Sequence, residues 1–591
     1  MSDVESDSDE WSDAEYFDDL GAFDLVNLNE SERDQIERII EDRNSSDEEE
    51  NEVYNGYTPP ENFVWTDEFS VRCRLPYSEK PGPVRVLDSS ASVLNYFQIF
   101  YSDEIFNHIV DSTNRNANKK RREDANNNKG VWNDVTIDEI KVFYGVLIMM
   151  DVIKLDRDDL YWKEDEKYFM LGTRISDVIS RDRFMQIRRY LNFSISEEDG
   201  LEHRNDKLSK VRYMLDKIRN SFKSEYIPHE EISVDESMVP FKGRLSFKQY
   251  MKDKPCKFGI KFWMLADATS AYCWNFDVYV GKYGTEINRT FGLSAHVVID
   301  LLRGLENKGH CVFTDNFYTS PTLAHYLTTI GTCLCGTVRP NRRGFPQDLV
   351  KSKSEARRLP RGYYDWRQCD DMIATCWKDK KMVYFLSTCH IPEKENLTVK
   401  RYNKDGSTTE FPDVPSGAAY SKYMGAVDRN DQVTKLNKSK KTMRWYRKIE
   451  RKLLELSIYN AYVLEGSVVE HNSPGKRKRD LLKFKLDLAH ELIGQRRIRK
   501  RAGRSRSATS NQLLRLDGLN HLPDVGEGKD HVCVVCNERH LKFKERNPGV
   551  SYAENPFKRC KTTIKCEKCE KYLCCNTKNM CFKEYHSKVC Y

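Results

Sequence analysis

No stretch of this chain stays apolar for long enough to cross a membrane. The longest apolar run, Val142–Met150, is about half of the ~18 residues a spanning helix needs. The amino terminus also lacks the basic-then-apolar order of a secretory leader and opens on acidic residues instead. Both absences predict a soluble, intracellular protein with no membrane partner. Lys, Arg and aliphatic residues are scarce over residues 1–60, where 21 Asp/Glu face 3 Lys/Arg. Such a segment cannot bury enough apolar surface to fold and is expected to be a disordered acidic tail. Its SDSDE and SSDEEE clusters read either as phosphorylation sites or as solubilising charge. Internal repeats are absent.

The chain has 591 residues, 39% hydrophobic and 11% aromatic, enough for two or more separate cores. The acidic tail carries −18, so the remainder carries +23 against a whole-chain charge of +5. A body that basic attracts polyanions, nucleic acid first among them; a merely solvated charged surface is the alternative. The 18 cysteines are also unevenly spread, with nine of them between Cys533 and Cys590. In a reducing compartment that dense group reads as metal ligands, not disulfides.

From Ser92 to Ile227 the apolar spacing is helical, as in SVLNYFQIFYSDEIFNHIVDSTN. Thr136 and Glu139 form a capping-box signature before IKVFYGVLIMM, and SRDRFMQIRRYLNF predicts a further helix. The texture changes at Ile232. ISVDESMVPF, GIKFWMLAD, YCWNFDVYV, CVFT and CLCGTV read as strands, and SPTLAHYLTTIG reads as a helix ended by Gly331. This is an α/β pattern. MIATCWKD, KMVYFLST and NLTVKRYNKDGSTTEF suggest a separate β-rich patch with a turn near Asp405-Gly406. Helical spacing returns from about Ala418 to Gly494. KRKR (476–479) and RRIRKRAGRSR (496–506) resemble nuclear-localisation or phosphate-binding segments. The segment PDVGEGKD (523–530) reads as a linker to the Cys-rich end.

Three acids stand where a metal site would want them. Asp267 ends GIKFWMLAD, Asp315 ends CVFTD, and Asp428 lies on a predicted helix in GAVDRND. Strand ends place side chains at the rim of a sheet. Two such strands side by side, with one helix laid across, can converge three carboxylates. Phosphodiester cleavage needs that convergence, because a pair of Mg²⁺ (or Mn²⁺) ions bound by hard oxygen ligands activates the nucleophile and relieves charge on the phosphate. The alternative is that acids reach strand ends by chance, since the chain has 91 of them. Asp431 lies one helical turn from Asp428 and either binds metal, tunes it, or supports the helix.

The motifs SVDESMVPFKGRLSFKQYMKDKPCKFGIKFWMLAD, CVFTDNFYTSPTLAHYL, CGTVRPNRRGFP, MGAVDRNDQ and Arg444-Trp445, in this order, resemble the piggyBac-type transposases and piggyBac-derived proteins. The resemblance runs from about Ser92 to the end of the chain. It implies a multidomain α/β protein with an RNase H-like catalytic core split over 231–340 and a last helix in 418–444. It further implies an inserted β-rich domain over 341–417 and a flanking helical dimerisation and DNA-binding domain over 92–230 and 445–522. A Cys-rich zinc-binding domain follows over 530–591. Carried over motif by motif, the catalytic acids are Asp267, Asp315 and Asp428. Asp235 and Glu236 in VDES belong to the same signature and are read as structural or DNA-positioning. DNA contacts are expected from Asn316, Arg444, Trp445, Arg496, Arg497, Arg499, Lys500 and Arg501. The resemblance also implies a nuclear homodimer that cuts double-stranded DNA at terminal inverted repeats through hairpin intermediates and inserts at TTAA. The competing reading is a domesticated DNA-binding protein without cleavage.

The Cys-rich end reads Cys533-x2-Cys536, Cys566-x2-Cys569, Cys574-Cys575, Cys581, His586, Cys590. Each CxxC offers two thiolates to one tetrahedral Zn²⁺. The interleaved choice puts Cys533, Cys536, Cys574 and Cys581 on one zinc and Cys566, Cys569, His586 and Cys590 on a second, leaving Cys560 and Cys575 over. So short a segment has little core, and metal would supply its folding energy. Cross-braced modules also occur in ubiquitin ligases. The basic run Arg539, Lys542, Lys544, Arg546, Lys558, Arg559, Lys561 and Lys565 favours DNA phosphates instead.

Overall fold

The computed structural model describes residues 57–70, 74–88, 90–123, 131–163, 175–194, 206–252, 254, 256–281, 291–393, 396–402, 405–435, 442–472, 479–494, 521–526, 530–576 and 579–587. Most of the acidic tail, Cys590, most of the KRKR cluster and all of the 496–506 cluster lie outside them. The chain forms two compact units, residues 1–498 and 499–591. No helix among the described residues is long and apolar enough to cross a membrane.

In the first unit, a short strand at Gly82–Pro83, paired with Tyr226–Ile227, precedes a run of helices. The apolar pattern after Ser92 breaks into α1 (Val93–Gln98), capped by Ser92, and α2 (Asp103–Glu123). Next comes α3 (Ile137–Val152), where Thr136 accepts from the Glu139 backbone N–H at 3.2 Å. The Glu139 carboxylate does not turn back to close the box; it takes Arg183 at 2.7 and 2.6 Å. Arg183 stands on α4 (Arg181–Tyr190), followed by α5 (Arg212–Ser224).

A central mixed sheet follows. Its strands are β1 (Glu231–Pro240), β2 (Gln249–Tyr250), β3 (Phe258–Asp267), β4 (Cys273–Val278), β5 (Cys311–Thr314), β6 (Cys333–Thr337), β7 (Tyr364–Cys369), β8 (Met372–Lys378) and β9 (Met382–Ser387). The order is β2-β3-β1-β5-β6-β9-β8-β7, with β4 also pairing with β3. β1 runs antiparallel to β3 and parallel to β5, and β5 runs parallel to β6. The crossover from β4 to β5 carries α6 (Gly292–Leu302), and that from β5 to β6 carries α7 (Pro321–Thr329). Ser320 caps α7 and Gly331, at φ +61°, follows it. A Cβ at this left-handed position would be strained.

The strands expected in a separate β-rich domain within 341–417 do not stand apart. β9 pairs with β6 through Phe385↔Thr337, Leu386↔Gly336 and Ser387↔Cys335, so β7, β8 and β9 extend the central sheet. Composition marks strands but not their partners, and the exposed edge of β6 supplied one. Among the described residues of this region, β10 (Thr398–Tyr402) and β11 (Thr408–Pro412) pair apart from the sheet, with Gly406 between them at φ +83°.

Among the described residues, four helices follow: α8 (Pro415–Tyr423), α9 (Ala426–Val433), α10 (Trp445–Asn472) and α11 (Leu481–Ile493). α9 packs on β1 and β3, and α10 and α11 return to α1, α3 and α5. Close approach of α11 to α3 rests on Gly145, where a Cβ would meet Ile493 Cγ1 at 2.8 Å and the Ala489 carbonyl at 2.9 Å. Inside this helical layer Glu450 of α10 is buried and accepts from Tyr101 Oη at 3.0 Å.

In the second unit, β12 (Pro523–Val525) pairs with β13 (Ile564–Cys566), His531–Val532 pairs with Lys561–Thr562, and two helices are described, α12 (Val534–Arg546) and α13 (Cys581–Ser587). The segment expected to be a linker from Pro523 is therefore a strand of the module. The Gly526 N–H donates to the Thr563 carbonyl at 2.8 Å, and a Cβ on Gly526 would meet Tyr572 at 2.9 Å.

Candidate active site and metal clusters

The strand register decides which acids meet. β1 and β5 are parallel with Val234 opposite Thr314, so the next residues, Asp235 within β1 and Asp315 just past the end of β5, lie level with each other. Lys254 Nζ lies 3.4 Å from Asp235 Oδ2 and 3.3 Å from Asp428 Oδ1. One ammonium thus joins Asp235 of β1 to the helix-borne acid. Burial pushes the Asp235 carboxyl well above its usual range, and burial together with the Glu236 charge pushes Asp315 up. Tyr420 of α8 is pushed up to about 12 by burial, with the charges of Asp315 and Asp235 adding to the effect. Carboxylates crowded in this way are stabilised by a cation.

α9 is held over this site by Asp431. Its Oδ1 accepts from Ser237 Oγ at 2.5 Å and from Lys452 Nζ at 2.8 Å. Ser237 lies two residues beyond Asp235 and so shares its face of β1. With i, i+3 spacing, the same helix face presents Asp428 next to Asp431. Two partners give Asp431 the supporting role among those the sequence left open. Glu236 alternates to the other face. Burial opposes its charge, but Lys261 at 3.1 Å holds its carboxyl down, to about 2.

Asp267 is not part of this cluster, and its expected convergence with Asp315 and Asp428 is corrected by strand direction. β3 is antiparallel to β1, with Asp267 opposite Ile232. Asp235 is three residues further on, roughly 10 Å along the strand and on the other face of the pleat. The Asp267 side chain is fully buried and saturated by hydrogen bonds. Oδ2 accepts from the His229 backbone N–H and Nδ1, each at 2.7 Å, and Oδ1 accepts from the N–H groups of Thr269 at 2.8 Å and Ser270 at 2.7 Å. It pins the turn from β3 to β4 to the start of β1. Burial works against its charge, but these bonds, His229 first, hold the carboxyl below its usual value. The acid that sequence reading set aside, Asp235, takes the place meant for Asp267. The signal that could have found it is an acid inside a β-branched strand, VDES, where side-chain burial alone would place an apolar residue.

Of the expected DNA contacts, Asn316 follows Asp315 at the rim and its Oδ1 accepts from Arg339 Nε at 3.2 Å. Arg444 donates to the Arg189 carbonyl at 2.6 Å, and Trp445 packs edge-on to Phe247 with centroids 5.4 Å apart. Both tie the start of α10 to neighbouring elements. Arg496, Arg497, Arg499, Lys500 and Arg501 lie outside the described residues.

In the second unit, the donor atoms of Cys533, Cys536, Cys574 and Cys581 lie within 4.8 Å of one another, all four buried. Cys536 Sγ is 3.6 Å from Cys581 Sγ and 4.0 Å from Cys574 Sγ, close to the ~3.8 Å edge of a tetrahedron with ~2.3 Å metal–sulfur bonds. A second group joins Cys566, Cys569 and His586 to His521, whose Nδ1 is 3.4 and 3.3 Å from the two sulfurs. His586 presents Nε2 to Cys569 at 3.5 Å and its Nδ1 meets the Phe582 carbonyl at 2.8 Å, the partnering that orients ligating imidazoles. His521, which lies ahead of the expected domain boundary at 530, is the fourth donor of this group; Cys590, expected there, lies outside the described residues. The two groups alternate along the chain, as a cross-brace requires.

A family model described as Transposase IS4 matches residues 92–462. The chain belongs to this transposase family, in its piggyBac branch. PiggyBac transposable element-derived protein 3 of Homo sapiens is 27% identical over 502 residues, covering 83% of this chain and 75% of the relative. PiggyBac transposable element-derived protein 2 of Homo sapiens is 25% identical over 456 residues, covering 76% and 73%. The cryo-EM structure of the piggyBac transposase synaptic complex with hairpin DNA aligns with a TM-score of 0.63 at 25% identity, covering 84% of this chain and 98% of that one.

Proposed function

We propose that this protein is a DNA transposase that cuts at terminal inverted repeats through hairpin intermediates and joins the ends to TTAA targets, working in the nucleus as a homodimer. The observation that carries the reading is the register of β1 and β5, which puts Asp235 beside Asp315 while Lys254 links Asp235 to Asp428. These three acids on an RNase H-like sheet would hold the catalytic divalent ions. Mg²⁺ or Mn²⁺, when bound, would activate the attacking oxygen and relieve charge on the phosphate. The chain's own groups prepare that site. Lys254 neutralises the acids at the rim, Asp431 locks α9 through Ser237 and Lys452, and Lys261 keeps Glu236 charged on the opposite face. The two Cys/His groups of the second unit fit Zn²⁺ by donor type and spacing, and the exposed Lys544, Arg546, Arg559 and Lys561 suit phosphate contact.

Kinship to human proteins named as transposable element-derived supports a second reading, a DNA-binding protein that no longer cuts. Mg²⁺-dependent cleavage of DNA carrying the inverted repeats that flank this gene separates the two. Hairpin-ended products with the intact chain, absent with Asp235→Asn, support the first. Specific binding without products supports the second.

A further inference from the structure

Away from both metal clusters, the central sheet holds a pair of thiols in contact. Cys311 opens β5 and is buried; Cys389 lies two residues past β9 and is half-buried. The chain leaving β9 passes over β6, where the Thr388 N–H donates to the Leu334 carbonyl at 2.8 Å. This route brings Cys389 Sγ to 2.9 Å from Cys311 Sγ, although 78 residues separate them. Cys389 Sγ is also 3.2 Å from His390 Nδ1, which lies 2.8 Å from Ser387 Oγ. We propose that Cys389 and Cys311 are a peroxide-reactive thiol and its resolving thiol, poised to close an intrachain disulfide.

The environment distinguishes the two sulfurs. Burial opposes ionisation of Cys389, but the Cys311 S–H, His390 and Ser387 hold its thiol well below the usual range. Cys311 is pushed up, first by its hydrogen bond to Cys389 and then by burial. One sulfur is therefore the thiolate and the other the proton carrier, as attack and resolution require. The Cys389 thiolate attacks the O–O bond of hydrogen peroxide; an S–O bond forms, the O–O bond breaks and hydroxide leaves, to be protonated to water. Cys311 sulfur then attacks the Cys389 sulfenic sulfur; the S–S bond forms, the S–O bond breaks, and the hydroxyl leaves as water with the Cys311 proton. Two thiols lose two electrons in all, one peroxide accepts them, and two waters form. The cross-link would tie the start of β5, whose far end delivers Asp315, to the segment behind β9. It forms beneath α8, where Phe313 and Tyr423 pack with centroids 5.2 Å apart.

The test is peptide mapping of the full-length, zinc-loaded protein after titration with hydrogen peroxide. The expected result is a Cys311–Cys389 cross-linked peptide that forms before oxidation of the exposed Cys575 and is lost on adding dithiothreitol. Cys311→Ser should leave a sulfenic acid at Cys389 that dimedone traps, and His390→Asn should slow its formation by about tenfold or more. Cys389 still open to alkylation at peroxide doses that oxidise Cys575 would overturn the proposal. So would a cross-link to Cys335 in place of Cys311. A third equivalent of zinc, lost in Cys389→Ser, would make the group a metal site and overturn it as well.

Discussion

Replacing Asp267 by Asn tests whether this acid holds the fold. The carboxylate accepts four N–H bonds, two on each oxygen, from His229, Thr269 and Ser270. An amide in its place offers one accepting oxygen, so two donors face an NH₂ group. Each unpaired buried donor costs about 1–3 kcal/mol, which makes the loss about 2–6 kcal/mol. That is a large share of the ~5–15 kcal/mol that holds a typical domain. Urea unfolding reads it as a fall in the midpoint at unchanged slope. Because the folded Asp267 carboxyl is held below its ordinary value, its stabilising effect is present above that value and fades as pH falls through the folded one. The deficit of Asp267→Asn should therefore be full at pH 7 and shrink below about pH 4. Asp235→Asn should do the reverse. Its carboxyl is pushed up by burial, so neutralising it leaves the midpoint unchanged or higher while Mg²⁺-dependent cleavage is lost. A wild-type midpoint for Asp267→Asn together with lost cleavage would refute this assignment.

Burial pushes Glu450 up to about 7, above its unfolded value near 4.3. Its charge therefore costs stability that grows as pH rises between those values, reaching about 4 kcal/mol. Glu450→Gln should raise the unfolding midpoint at pH 8, with the gain gone near pH 4; a gain independent of pH would contradict it. Gly145→Ala should destabilise by about 1–3 kcal/mol, because Ile493 and the Ala489 backbone occupy the space; an unchanged thermal melt would show that α11 can shift freely. Zinc content should fall from two equivalents to one in His521→Ala and stay at two in Cys590→Ser, measured by mass spectrometry of the metal; the opposite pattern returns the fourth position to Cys590. Truncation before residue 521 should leave the first unit folded and weaken discrimination between transposon-end and scrambled DNA in a binding titration at fixed salt. Unchanged discrimination would move end recognition into the first unit.

Much of this protein is determined locally and can be read from residue order. The capped helices at Thr136, Ser180 and Ser320 carry their own start signals, and short runs rich in Val, Ile and aromatic residues mark β1, β3 and β5. The CxxC pairs announce metal ligands because both donors of a pair lie within one turn of chain. Strand partnership is different in kind, since it depends on which edges are exposed when the sheet assembles. The sequence shows Asp235 and Asp267 on strands and Asp315 at the end of one, but not that β3 runs against β1 while β5 runs with it. That difference in direction sets Asp267 at a turn and Asp235 level with Asp315. Edge pairing likewise joined β9 to β6 and so brought Cys389 onto Cys311. His521 has no sequence neighbour that marks it as a ligand; β12 pairing with β13 carries it to Cys566. Local spacing fixes which residues can do chemistry, and the hydrogen-bond register of distant strands fixes which of them meet.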